Sequence, residues 1–466
     1  MRDGFVGIQV NPVGLYDEGI EHALDLMQDT AGVNTLIAYT HTYYGAHNRP
    51  RDALAQDHGV PVRDERGRKL PGLWIRHHEE RFRGTVLRHR PDPEGTEYAG
   101  HDILEDLAEP ARKRGMKVFA RFLEPHQART MRYVENWSQV LSIDVYGRLH
   151  PNTCFNNPEY QRFWMSSVED MFKTYPIDGL QYGSERCGPL SRMLFWDDVP
   201  TCFCDHCMAR ARAAGINGER AREGFQKLYE YNLGLKNGTE NPVDGAFPTF
   251  LRILLRYPEI LAWEQMAHDS KEDLAKRLYG AVKIIRPDAR FGIHVDHQQS
   301  TWDLFQRAEI DYGALARYCD FVKPIAYHDI AAPRIKNWYL ARAQKTLLRD
   351  TSMGLLAEAF YDLMGYDKTR EPELNEMDTC GFSEDYVYRL TRRIVDGVGG
   401  QVPVYPGIGF DVPYGDDHFG GDPEIVYRAV IQAFEAGASG IMLSREYAEM
   451  RVANMRAVGR ALRDLG

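Results

Sequence analysis

Short runs rich in β-branched and aromatic residues alternate along the chain with longer stretches in which apolar residues recur every three or four positions. This is the pattern of a parallel sheet wrapped by helices. Eight runs read as strands: residues 5–11, 34–40, 117–124, 178–182, 290–296, 320–327, 402–410 and 439–444. Helices fit between them. Residues 18–29 follow the first strand, and 101–114 lead to the third and stop at Gly115, a natural helix-ending glycine. Asn157 is placed to cap a helix over 158–175 ahead of strand four. A helix over 260–285 stops at Arg286-Pro287-Asp288, another over 423–436 precedes strand eight, and 449–465 ends the chain as a helix. Eight strand–helix units in order predict an α/β fold, a (β/α)8 TIM barrel forming one domain over residues 1–466.

The departures from a minimal barrel are three long insertions: 42–100 after strand two, 188–241 after strand four and 329–400 between strands six and seven. Each follows a strand, so each is expected over the C-terminal rim, where barrels of this kind keep their functional groups. An open doubly wound sheet would need fewer strands and a reversal of strand order at a switch point.

Charge narrows the partners. A formal net charge of −10 argues against nucleic acid and against an anionic membrane surface, both of which want a basic face. No window approaches the roughly 18 apolar residues of a membrane span. The opening MRDGFVGIQV lacks the basic and apolar regions of a signal peptide, so a cytoplasmic location is the expectation. A homo-oligomer is compatible with this composition.

Seven cysteines are sparse, but Cys202, Cys204 and Cys207 fall within six residues. Thiolates at that spacing can turn toward one point, and zinc takes four nitrogen or sulfur ligands in a tetrahedron. Cys154, Cys187 or His206 could complete the set. The other reading is three buried free thiols. A closed four-ligand site would pin an insertion and do no chemistry.

Three segments carry a resemblance: Thr153-Cys154-Phe155-Asn156-Asn157-Pro158-Glu159-Tyr160, Asp178-Gly179-Leu180-Gln181-Tyr182-Gly183-Ser184-Glu185, and Cys202-Phe203-Cys204-Asp205-His206-Cys207. Together they resemble the family 42 glycoside hydrolases, which are β-galactosidases. The helix leading into strand three and the Asp178-Gly179 start of strand four also look like the hypothetical glycosyl hydrolase barrels. The resemblance implies that Cys154 is the fourth ligand of a structural zinc and that Glu185 matches the acid/base residue. It covers residues 100–210, with strand order alone beyond them. Ser184 stands where the family has Asn, and strand seven ends on Asp411 where the family has a nucleophilic Glu. The family's C-terminal β-rich domains have no counterpart in these 466 residues, so galactoside specificity is not carried over.

Glycosidic cleavage needs one carboxylic acid to protonate the leaving oxygen and a second carboxylate to attack carbon or activate water. Strand ends offer Glu124, Glu185, Asp296, Asp329, Asp411 and Glu446. Glu185 follows a small pair, Gly183-Ser184, that permits a tight turn; its other use would be a salt bridge to Arg186 or Arg121. Asp411 lies across the barrel, either as the partner carboxylate or as a loop cap. Histidines collect at the same end: His41, His126, His294, His297 and His328. They suit hydrogen bonds to sugar hydroxyls, or a divalent metal held with Asp296 and Asp329. Arg121 and Lys323 could meet a carboxylate or sulfate. Aromatic residues near the rim include Tyr39, Trp74, Tyr182, Trp302, Tyr327 and Tyr405.

The sequence therefore predicts a glycoside hydrolase acting on a carbohydrate, with Glu185 and Asp411 catalytic. Substrate contacts are expected from His41, Arg121, His126, Tyr182, His294, Asp296, His297, Lys323, Tyr327, His328 and Glu446. Glu446 could also start a helix or join an ion pair. The alternatives are a metal-dependent sugar isomerase, aldolase or lyase using the histidines, and a barrel that binds carbohydrate without cleaving it.

Overall fold

The computed structural model describes residues 4–43, 57–61, 67–124, 128–414 and 420–466. Among them, eight parallel strands close into a barrel. They are β1 (Phe5–Val10), β2 (Thr35–His41), β3 (Lys117–Leu123), β4 (Gly179–Gly183), β5 (Arg290–Val295), β6 (Phe321–Ala326), β7 (Gly407–Gly409) and β8 (Gly440–Ser444). Each pairs with its neighbours in sequence order, and β1 closes on β8 with Phe5 opposite Gly440. All eight expected strands are present. β7 is shorter than its apolar run, because Pro403 and Pro406 have no N–H to give a ladder, and only Val404 bridges Val322 ahead of Gly407.

The helices lie where the apolar periodicity puts them: Ile20–Ala31, Ile103–Lys113, Pro158–Thr174, Glu259–Ile285, Pro423–Glu435 and Val452–Asp464. The Asn157 side chain accepts from the Glu159 N–H at 2.9 Å and so caps the third of these. The insertion after β4 folds as helices Pro189–Phe195, Asp205–Ala213 and Gly218–Asn237. The one after β6 contains Met353–Met364 and Glu384–Val398. No helix among the described residues is long and apolar enough to cross a membrane.

Side chains alternate between the two faces of a strand, and this parity sorts the barrel interior into layers. The lowest layer is a buried plug of Phe5, Ile37, Phe119, Phe321, Tyr405 and Met442, with the Phe5 and Tyr405 rings stacked at 4.1 Å. Glycines on facing strands make room for it; a Cβ on Gly292 would lie 1.9 Å from the Phe321 ring. Further along the strands on the same parity the interior turns polar, with Gln9, Arg121, Gln181, His294, Lys323 and Ser444, all buried. Here too a glycine yields space, since a Cβ on Gly407 would meet Lys323 Cε at 2.3 Å. The next inward positions reach the rim. Apolar filling at one end and polar groups at the other follow from one alternation.

Gly292→Ala should therefore cost about 1–3 kcal/mol by overpacking the plug. Gly354→Ala, on an exposed helix position with nothing within 4 Å, should stabilise by about 0.4–1 kcal/mol. Urea melts of the two variants test the difference.

Candidate functional site

A cavity of about 580 Å³ opens at the C-terminal ends of the strands. Its floor is the continuation of the inward parity: Tyr39, Arg121, Leu123, Glu185, Asp296, Ile325 and Tyr327. The insertion after β4 adds Arg192, Trp196 and Asp198. The segment after β6 adds Arg334 and Trp338, and the chain after β8 adds Arg445 and Glu446. Two smaller hollows, of about 70 and 40 Å³, lie beside the cysteine cluster and under His294.

Glu185 is aimed by its neighbours. Ser184 and Arg186 both turn to Glu124 at the end of β3: the Ser184 hydroxyl donates at 3.1 Å, and Arg186 donates through Nε at 3.0 Å and Nη2 at 2.5 Å. Arg186 also donates to the Thr153 carbonyl at 2.5 Å and lies over the Phe155 ring. The residue between them points the other way, into the cavity. Glu185 keeps 36% of its side chain exposed, and its Oε1 is 3.2 Å from His294 Nε2. Burial pushes His294 down to about 3, so the ring is neutral and the hydrogen bond places its proton on Nε2. Partial burial opposes the charge on Glu185, but the His294 hydrogen bond and the positive field of Arg121 outweigh it and hold the carboxyl below its ordinary range.

Asp296, just past β5, is tuned in the opposite direction. It is 2% exposed, and burial together with the negative Glu185 pushes its carboxyl up to about 7. Gln298 Nε2 donates to Oδ2 at 2.8 Å, and the indole of Trp196 donates to Gln298 Oε1 at 2.9 Å. One amide thus joins the aromatic wall to the carboxyl. His297 Nε2 lies 3.5 Å from Asp296 Oδ1, and its ring packs on Trp302 with centroids 4.3 Å apart. The Trp196 and Trp338 rings lie with centroids 5.7 Å apart and planes tilted by 59°.

The cavity gathers Arg121, Glu185, Asp296, His297, Tyr327 and Glu446 from the expected set, with His294 bonded to Glu185 from beneath. Others lie elsewhere, each for a local reason. Asp411 has φ 58°, a left-handed backbone that swings it off the inward parity of Gly407 and Gly409. Its carboxylate accepts from the Gly421 N–H at 3.1 Å, the Arg451 N–H at 2.9 Å and Nε at 2.8 Å, and Asn454 Nδ2 at 2.8 Å. It holds a loop and does not line the cavity. His41 sits past an irregularity in the β2–β3 pairing that reverses its face; it packs on Trp164 and Phe122, outside the barrel, and burial lowers it to about 3. Tyr182 has outward parity and meets Phe122 and Phe291. His328 is buried beside the cavity without lining it, and Lys323 lies below the floor, its Nζ 3.4 Å from the Tyr327 hydroxyl. His126 lies outside the described residues. The sequence reading did not single out Arg334, Trp338, Arg445, Arg192 or Trp196; all but Arg445, which directly follows β8, come from insertions whose placement no strand period encodes.

Cys154, Cys202, Cys204 and Cys207 bring their four sulfurs within 4.8 Å of one another. Cys154 Sγ lies 3.4 Å from Cys204 and 3.5 Å from Cys207. The Ile143 N–H donates to Cys202 Sγ at 3.4 Å, and Asn156 Nδ2 to Cys207 Sγ at 3.3 Å. The edges of a tetrahedral tetrathiolate with roughly 2.3 Å metal–sulfur bonds are about 3.8 Å, so the quartet is compatible with a bound metal. Cys187 and His206 stand outside it. Among the described residues this is the only group of three or more potential metal ligands whose donor atoms converge, and the rim histidines form none.

No protein-family model matches the chain, and no curated protein matches it. Solved structures do. The PgaB (BpsB) glycoside hydrolase domain from Bordetella bronchiseptica matches with a TM-score of 0.51 at 12% identity, over 97% of this chain and 98% of that one. The β-galactosidase from the Antarctic haloarchaeon Halorubrum lacusprofundi gives 0.54 at 13% identity, over 99% and 58%. Gan42B, a family 42 β-galactosidase from G. stearothermophilus, gives 0.51 at 12% identity, over 99% and 56%. The likeness is one of fold: these glycoside hydrolases share the (β/α)8 barrel. The chain spans little more than half the length of the β-galactosidases and nearly all of the PgaB domain.

The Glu124–Arg186 pair is fully buried, so Arg186→Met alone should cost about 3–5 kcal/mol by stranding a carboxylate. The double variant Glu124→Gln with Arg186→Met should recover much of that loss in urea melts.

Proposed function

We propose that this protein is a glycoside hydrolase whose working carboxyls are Glu185 and Asp296. The observation that carries this reading is their opposed tuning within one cavity: Glu185 is held ionised, while Asp296 is pushed up to about 7. Two carboxyls driven apart in this way are the acid and base that glycosidic cleavage needs. Asp296 then protonates the leaving glycosidic oxygen, and Glu185 attacks the anomeric carbon or activates water there. His294 keeps Glu185 in place and charged. Trp196 and Trp338 offer flat faces for a sugar ring, and Glu446 and His297 offer hydrogen bonds to hydroxyls. Both insertions after β4 and β6 wall the same cavity, so the chain acts as one unit. The glycoside hydrolases among the similar structures support the same substrate class.

The active form carries the proton on Asp296, so activity should fall as pH rises through about 7. Asp296→Asn should lower kcat on a glycoside with a poor leaving group by about 10²–10⁴-fold and remove that limb of the pH profile. Aryl glycosides with acidic phenols, which need no proton, should retain most of their rate. Glu185→Gln should abolish cleavage of both with the melting temperature nearly unchanged; retained activity would discard the assignment. Product stereochemistry by NMR then tells attack on carbon from activation of water.

We also take the four cysteines as a structural zinc site, tying the loop before Pro158–Thr174 to the insertion after β4. Elemental analysis should find about one zinc per chain, and chelation should lower the melting temperature. A folded, zinc-free protein with an unchanged melt would refute this.

A further inference from the structure

The cavity holds a buried guanidinium to which no carboxylate among the described residues is directly paired. Arg334 is 8% exposed and lines the cavity, yet it makes no ion pair within 4.0 Å among the described residues. Its Nε is buried with no hydrogen-bond partner, and Nη1 reaches only the ring of His297, at 3.3 Å. The guanidinium lies over Trp338, 4.7 Å from the ring centroid. Arg445 stands in the same wall and is already committed to Glu449, with Nε 3.1 Å from its Oε2. A second cation therefore faces Arg334 where an anion would be expected. Burial and that neighbouring cation depress Arg334 to about 10, well below an ordinary arginine. Of the cavity's acids, Glu185 is bonded to His294, Asp296 to Gln298, and Asp198 to Arg192 and to His150, while Glu446, whose Oε2 is buried without a hydrogen-bond partner, makes no ion pair with Arg334. A buried, unpaired guanidinium is costly, and its planar fork matches an oxyanion in two-point contact.

We propose that the substrate is an acidic sugar whose anionic group, a carboxylate or a sulfate ester, seats on Arg334 while its ring lies against Trp338. This rests on the hydrolase reading for the fate of the sugar, though not for the binding itself. Trp338 and Arg334 are one helical turn apart on the same segment after β6, so a single element presents both the flat face and the charge. The ligand's anion would relieve the repulsion between Arg334 and Arg445, and a neutral sugar would leave both as they are. The acidic group is thereby a requirement of recognition rather than a tolerated substituent.

Titration calorimetry of the wild-type protein with glucuronate, galacturonate, glucose 6-sulfate, glucose and galactose tests this at low salt. Acidic sugars should bind at least about tenfold more tightly than their neutral counterparts, the gain expected of a charge-assisted pair. A carboxylate occupant favours the uronates, a sulfate occupant the sulfated sugar. Arg334→Gln should erase the preference and Arg334→Lys should keep part of it. Equal binding of acidic and neutral sugars by the wild type overturns the proposal without any variant, as does a preference that survives in Arg334→Gln. Aryl uronides, sulfated glycosides and neutral glycosides of both anomers are assayed alongside. Glu185-dependent cleavage of neutral glycosides with no acidic preference would keep the hydrolase reading and remove this one. Arg334-dependent binding of acidic sugars without cleavage of any glycoside would do the reverse.

Discussion

The buried pair between Glu124 and Arg186 is the contact on which the site depends. β3 and β4 end side by side, and the carboxylate at one end takes the guanidinium from the other in two hydrogen bonds, with Ser184 adding a third. Because side chains alternate along extended chain, fixing Ser184 and Arg186 on one side fixes Glu185 on the other. Arg186 also holds the Thr153 carbonyl, the residue before Cys154. One guanidinium thus sets both the aim of a cavity carboxylate and the position of the first cysteine of the quartet. The cost of burying the two charges is offset only while both are present, which makes the geometry all-or-none.

From that aim the electrostatics of the cavity follow. Glu185 receives a hydrogen bond from a neutral histidine and keeps its charge; that charge, together with burial, raises Asp296. The tuning of Asp296 is in part a product of where Glu185 is placed. Changing either carboxyl changes the other, and the pair titrates as a unit. Gln298 extends the coupling outward, since the same amide that holds Asp296 holds the Trp196 indole, so a displacement of that wall is felt at the carboxyl.

Much of this was legible in the sequence, and the exceptions are instructive. Strand positions could be read because glycines, prolines and caps such as Asn157 bound the apolar runs, and Cys202, Cys204 and Cys207 because their spacing carries its own chemistry, whereas Cys154 was implied only by the family resemblance. Which rim residues face inward was open to the same parity argument: Arg121, Glu185, Asp296 and Tyr327 obey it, and Tyr182 is excluded by it. His41 and Asp411 escaped because each sits where the backbone breaks the alternation, one at a register shift and the other at a positive φ. Neither break has a mark in the sequence, since no glycine stands at either place. Arg334 and Trp338 escaped for a different reason: their helical segment is local, but its approach to the barrel mouth is tertiary.

The aromatic plug has a consequence for traffic. With Phe5 and Tyr405 stacked across the axis and their neighbours sealing the gaps, nothing the size of a sugar can pass lengthwise through the barrel. Whatever arrives at the rim must depart by the rim, so arriving and departing molecules share one doorway.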